Sequence, residues 1–201
     1  MSFIVEELGM AAKQKMMTTK VWQDDCPVSL QQLVSVKVLH YNFQGEEKEG
    51  ELIVHRKMAQ NTLKIFRELK QVKFSIEQIK PIENFAGDDE LSMSHNNSSC
   101  FNYRKIANSK LVSLHSYGLA IDINPLQNPV ITFEHGKPVV RPTQGMEYLN
   151  RQNQRPGMIE PVVKIFISNG FSVWGGNWQD PIDYHHFQID RLKINNLDRM
   201  I

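Results

Sequence analysis

Neither sign of charge predominates in this 201-residue chain, where 23 Lys and Arg stand against 22 Asp and Glu for a formal net charge of +1. That balance leaves no long-range field to draw the protein onto nucleic acid or an anionic membrane. Cysteine is scarce, with only Cys26 and Cys100. Two cysteines so far apart have neither the close spacing of a zinc knuckle nor the density of a disulfide framework, which favours two buried thiols over one bridge. No apolar run is long enough to span a membrane. Met1 to Met17 mixes Glu6, Glu7, Lys13 and Lys15 into its apolar residues, unlike the unbroken core of a secretory signal. There is no internal repeat. What is present, a 41% hydrophobic and 22% charged composition, is that of a globular chain. The length fits one core, with 1–27 as an N-terminal arm or helix and 28–201 as the main domain.

Hydrophobic spacing marks the elements. Val36, Val38 and Tyr41 suggest a strand, and "QGEEKEG" a polar turn after it. Met58, Thr62, Ile65, Phe66 and Leu69 recur at three and four residues, which predicts an amphipathic helix over His55–Gln71. "FSIEQIKPIENF" reads as a turn of helix and then an extended piece at Lys80–Ile82, because the residue before Pro81 is pushed out of the helical region. "GDDELSMSHNNSSCFNYRK" has few apolar residues and no period, so it reads as a long polar loop, functional or disordered. "VITFEHGKPVVRP" predicts a hairpin turning at His135–Lys137, and "GMIEPVVKIFISNGF" a helix closed by Gly170. Strand-like "HHFQID" follows. Helices and strands mix without regular alternation, which predicts an α+β fold with a small antiparallel sheet and flanking helices.

Chemistry concentrates in two segments. In "SLHSYGLAIDINP", His115 and Asp122 lie seven residues apart around Gly118, and Leu119 to Ile123 alternate as a strand. Asp122 is then an acid in an apolar strand, which costs several kcal/mol, roughly, unless it is paired or bound to a cation. A plainer reading makes Asp122 a turn cap beside Asn124-Pro125 and His115 a surface histidine. "WGGNWQDPIDYHHFQI" then packs Trp174, Trp178, Asp183, His185 and His186 into one short stretch. A zinc catalytic centre takes three nitrogen or oxygen ligands and keeps a fourth position open. His115, Asp122 and one of His185 or His186 supply that set, with Asp183 left to accept and return a proton. Strand parity lets only one of the two histidines face a given metal unless Pro181 begins a bend. Spacing does not choose between them.

At these residues the sequence resembles the zinc D-Ala-D-Ala carboxypeptidase and L-Ala-D-Glu endopeptidase family, which includes vancomycin-resistance D,D-peptidases and phage endolysins. The resemblance runs from about Gly50 to Gln188, with "HSYGLAIDINP" its most specific part and "GELIVHRKMAQ" and "FNYRK" also similar to the carboxypeptidase branch. It implies a hedgehog/D,D-peptidase-like zinc fold with His115, Asp122 and His186 as ligands and Asp183 as acid/base. It places Arg104 where the family uses an arginine to hold negative charge on the substrate. Gln188 departs from the Glu that relatives often carry after the His-Phe pair, outside the ligand set.

Tyr103, Ser113 and Trp174 are candidates for contact with substrate. The aromatic ones would equally serve as packing under a loop, and Ser113 would equally support its neighbouring ligand. The implied reaction is hydrolysis of an amide in a peptidoglycan stem peptide, D-alanyl-D-alanine carboxypeptidase-like, with the endopeptidase and a non-catalytic zinc-binding module as alternatives. The module has no need of a general base such as Asp183. The implied place is the periplasm or cell wall, reached through a signal absent from this sequence or by another route.

Overall fold

The computed structural model describes residues 3–106 and 111–194. The outer limits of the expected arm and main domain, residues 1–2 and 195–201, lie outside the described residues. Strand β1 (Ile4–Glu7) leads into helix α1 (Met10–Thr18), followed by the hairpin of β2 (Leu33–Tyr41) and β3 (Glu47–His55). β1 lies antiparallel along β2 from Ile4 opposite Lys37 to Glu7 opposite Val34. A strand and a helix therefore stand where an arm or short helix was expected. The β2–β3 turn is held by Asn42, whose Oδ1 accepts the N–H groups of Gln44 and Glu46. The charged stretch read as turn continues directly into β3, whose first residues are exposed and whose Leu52, Ile53 and Val54 are buried.

Helix α2 (Ala59–Gln71) lays its apolar face on this sheet. Val34, Val36 and Val38 from β2 meet Leu63, Phe66 and Leu69 in one core cluster. Burying each such side chain contributes about 1.5–3 kcal/mol, which fixes the helix to the sheet.

The next segment reverses its expected order. Residues Gln78–Ile79 form β4, and the helical turn, Ile82–Phe85, comes after Pro81. Proline at the start of a helical turn has no N–H to lose there, so it begins the turn and does not end one. The expected polar loop is also ordered. It contains α3 (Asp89–Ser94), whose Leu91 N–H is capped by Asp88, and β5 (Asn97–Ser98), parallel to β4. Asn96, Asn97, Ser98, Ser99 and Asn102 are buried, and hydrogen bonds to remote backbone and side chains satisfy them.

Strand β6 (Ala120–Asp122) precedes the hairpin of β7 (Val130–Glu134) and β8 (Lys137–Arg141). That hairpin turns where predicted, with φ of 50° at His135 and 74° at Gly136. Helix α4 (Val163–Ser168) is shorter than predicted, since the residues from Glu160 to Val162, with Pro161, form a 3-10 turn. β9 (Val173–Trp174), β10 (Ile182–Asp183) and β11 (His186–Gln188) complete two further antiparallel sheets, ordered β6-β11-β9 and β10-β7-β8. Small antiparallel sheets with flanking helices make the fold α+β, as the sequence predicts. No helix among the described residues is long and apolar enough to cross a membrane.

Candidate metal centre

Strands β6 and β11 run antiparallel with His186 opposite Asp122. Side chains so paired have Cβ atoms about 5 Å apart. Leu119, Ile121 and Ile123 are fully buried in the core, so alternation turns Asp122 to the other face. His115 comes from the single 3-10 turn Leu114–Tyr117 just before β6. Ser113 caps this turn, its Oγ accepting the His115 N–H at 3.3 Å. Gly118 closes it with a φ of 66°. There the His55 N–H donates to the Gly118 carbonyl at 2.9 Å, and a Cβ on Gly118 would lie 2.4 Å from that nitrogen. Only glycine combines this backbone shape with so close an approach. The turn bearing His115 is thereby fixed to the end of β3.

The three side chains converge. His115 Nε2 lies 3.1 Å from Asp122 Oδ2, His186 Nδ1 lies 2.9 Å from Asp122 Oδ1, and these two nitrogens are 3.1 Å apart. All three residues are buried. The outer nitrogens face acceptors: His115 Nδ1 meets the Cys100 carbonyl, and His186 Nε2 meets Gln188 Oε1 at 3.0 Å. A carbonyl oxygen only accepts, so each outer nitrogen carries a hydrogen. The inner nitrogens of neutral rings then present lone pairs to one another and to a carboxylate. That set repels itself unless a cation or proton lies among its members. It is also how metal-ligating histidines are oriented by acceptors behind them. The ligand atoms of His115, Asp122 and His186 lie within 4.8 Å of one another and could hold a metal ion.

Burial alone would push the Asp122 carboxyl up, but the charges of His115 and His185 and hydrogen bonds from His115 and His186 hold it well below the usual carboxylate range. Burial opposes a charged His186, yet the hydrogen bond and charge of Asp122 raise it above the ordinary histidine value.

Asp183 and His185 approach from the side. Strand parity predicts one histidine of the pair near Asp122, and the structure brings both: His185 Nε2 is 3.9 Å from Asp122 Oδ2 and 3.1 Å from Asp183 Oδ1. The cause is a change of sheet. Asp183 is in β10, paired with β7, whereas His186 is in β11, paired with β6. The chain crosses between them, so alternation does not carry through. The group that could hold a metal ion is completed by His186, not His185. Asp183 Oδ1 is buried without a hydrogen-bond donor, since its approach to His185 lacks hydrogen-bond geometry. Gly175 backs it closely, for a Cβ there would lie 2.6 Å from the Asp183 carbonyl oxygen.

The other expected site residues have definite places. Arg104 is tied to the His115 turn, its N–H donating to Ser116 Oγ at 2.9 Å and its carbonyl accepting the Ser113 N–H at 3.0 Å. Its Nε lies 3.3 Å from Asp89 Oδ2. Tyr103 turns toward the N-terminal segment, where a hydrogen bond to Asp25 pushes its hydroxyl up to about 12. The Ser113 hydroxyl is engaged by the His115 cap, and Trp174 donates Nε1–H to the Tyr184 carbonyl while stacking on Phe187. Trp178, not Trp174, is the tryptophan over the centre, its ring 5.3 Å from that of His186. Gln188 was visible as a departure, and two-residue alternation puts it on the His186 face. The Cys100 carbonyl had no signal, because a backbone atom does the work. Cys26 and Cys100 are free thiols.

Residues 107–189 match the family model for D-alanyl-D-alanine carboxypeptidase. The match supports the resemblance to the zinc D-Ala-D-Ala carboxypeptidase family, and it includes His115, Asp122, Asp183 and His186 while Arg104 lies before it. No curated protein and no solved structure matches the chain. The matched residues span both strands that carry the buried His-Asp-His group.

Proposed function

We propose that the protein hydrolyses an amide bond in peptidoglycan stem peptides with zinc, in the manner of a D-alanyl-D-alanine carboxypeptidase. The observation that carries this reading is the inward convergence of two imidazole lone pairs and a carboxylate, each ring held from behind by an acceptor. Two nitrogens and one oxygen from three residues suit zinc and the three-ligand pattern of its catalytic sites. His115, Asp122 and His186 would hold the ion, which when bound would supply Lewis-acid polarisation of the scissile carbonyl.

The remaining chemistry belongs to the chain. Asp183, whose Oδ1 has no hydrogen-bond donor, takes a proton from the attacking water and returns it to the departing amine. Arg104 holds negative charge on the substrate, either its terminal carboxylate or the oxyanion as it develops. Trp178 forms a wall beside His186. In this reading the fold is of the hedgehog/D,D-peptidase type. The catalytic domain is 28–201 and 1–27 is its N-terminal segment, whose strand Ile4–Glu7 pairs with β2, and the protein works at the cell wall or in the periplasm.

A soluble stem pentapeptide ending in D-Ala-D-Ala contains both candidate bonds, so mass spectrometry of its products identifies the reaction. Release of D-Ala by the zinc-loaded protein is expected. Asp183→Asn should keep its zinc and lose at least about 100-fold in turnover, the usual scale of general acid–base catalysis. Cleavage after L-Ala would make the protein an endopeptidase. No cleavage at full zinc content would sink the enzymatic reading, and unchanged turnover in Asp183→Asn would sink the role of that carboxylate.

A further inference from the structure

The chain passes directly between the two small sheets through two short segments. Residues 123–129 lead from β6 to β7, and residues 184–185 lead from β10 to β11. One side chain touches both. Arg151, which is 13% exposed, donates from Nη1 to the Gln127 carbonyl at 2.6 Å and from Nη2 to Asn128 Oδ1 at 2.9 Å on the first segment. On the second, its guanidinium carbon lies 4.3 Å from the centre of the Tyr184 ring. Behind it, Glu160 accepts from Nε at 2.6 Å and from Nη2 at 2.8 Å, and the Tyr148 carbonyl accepts from Nη1 at 3.2 Å. The charge of a guanidinium is permanent, so its attraction to the face of the ring does not depend on the protonation of either partner.

Asp183 belongs to the sheet of β7 and β8, whereas Asp122 and His186 belong to the other, so no strand pairing sets the distance between them. The two crossings set it instead. Asn128 is fully buried and its Nδ2 reaches the carbonyls of Ile123, Asn124 and Gly157, so a guanidinium held on Asn128 is held on the end of β6. Tyr184, at the other crossing, directly follows Asp183. We infer that Arg151 is a positioning residue that clamps both crossings and so sets the Asp183 carboxylate relative to Asp122 and the two histidines of the candidate metal centre. The inference rests on the role proposed above for Asp183. Neutralising Glu160 accounts for two of the hydrogen bonds of Arg151 and for neither crossing.

Three variants test the clamp. Arg151→Met keeps the apolar stem and removes every polar contact, Tyr184→Leu removes the ring at the second crossing alone, and Tyr184→Phe keeps a ring face without the hydroxyl. Turnover of the stem pentapeptide by Arg151→Met should fall by about 100-fold, the scale of a reacting group misplaced by an ångström, with KM little changed. Tyr184→Leu should show part of that loss, and Tyr184→Phe should turn over as the wild type does. Zinc affinity should stay at the wild-type level in all three, because the proposed ligands and the β6–β11 pairing are untouched, whereas general loosening of the fold would lower affinity and turnover together. Crystal structures of the wild type, Arg151→Met and Tyr184→Leu should show a changed separation between the Asp183 and Asp122 carboxylates in both variants. Wild-type turnover in Tyr184→Leu, an unchanged separation, zinc affinity that falls in step with activity, or a loss in Tyr184→Phe equal to that in Tyr184→Leu would each overturn the inference. Should Arg151→Met not fold, Tyr184→Leu decides alone. If the wild-type protein cleaves neither bond, the proposed function fails while the carboxylate separation in the variants still decides this point.

Discussion

Gln188 supports His186 without adding charge to the centre. Its Oε1 accepts from His186 Nε2 at 3.0 Å, which selects the ring tautomer whose Nδ1 faces Asp122. Gln188→Ala leaves the ring free to rotate and should weaken zinc binding by about 10–100-fold, the usual cost of losing such a partner. Competition with a chromophoric chelator measures this directly, and unchanged affinity would show that the β11 backbone alone orients the ring. Much of the centre was legible at this scale. His115 and Asp122 stood out because an acid in an apolar strand needs a partner, and Asp183 because it was the carboxylate left over. The choice of His186 came from family resemblance alone, since alternation along the strand does not survive the crossing at Tyr184–His185. Tyr103 and Trp174 were harder to read. An aromatic ring beside a site has the same sequence signature whether it faces a ligand or packs beneath a loop, and both rings pack.

The short turn Leu114–Tyr117 shows how an element with few bonds of its own is held by what it touches. Its fixed point is the contact between the Gly118 carbonyl and the His55 N–H, at the end of β3. Gly118→Ala would place a methyl group into that backbone in a left-handed conformation, which alone costs about 1–2 kcal/mol. The melting temperature should fall by at least about 2 °C and zinc affinity should fall with it. Calorimetry with and without zinc tests this, and an unchanged melting temperature would show that β3 and the turn can separate freely. Elements with strong internal period, α2 and the β7–β8 hairpin, were readable because their burial pattern is written in consecutive residues. β1 was not, for its side chains are largely exposed and its partner is β2, remote in sequence. The stretch from Gly87 to Lys105 read as loop because its order comes from buried asparagines and serines bonded to distant groups, which leave no hydrophobic period.

Across the whole molecule, buried neutral histidines set the response to acid. Desolvation, aided by Lys57 and Arg56, lowers His55 to about 4, and desolvation also lowers His40. Their unfolded value is near 6.5, so between those limits the unfolded chain binds more protons than the folded one. Stability from these groups is present above about pH 6.5 and is lost as pH falls toward 4. His186, raised by Asp122, acts in the opposite sense in the metal-free protein, giving stability at acid pH that fades as pH rises through its folded value. Comparison with His55→Asn isolates the first effect, because asparagine can still cap the Lys57 N–H that His55 Nδ1 accepts at 3.3 Å. Urea midpoints of the variant should decline less than those of the wild type between pH 6.5 and pH 4, and parallel declines would exclude His55 as a source. The α+β class was legible from the irregular mixing of elements, but the division into separate small sheets was not, since strand partners are chosen by contacts no local pattern encodes. That division separates two properties usually bound together. The proposed metal ligands lie on the turn before β6 and on the β6–β11 pair, whereas the proposed base hangs from the β7 side. A change in the β7–β8 hairpin can therefore retune the reach of the base, and with it the rate or the bond chosen, while the affinity for metal stays as it is.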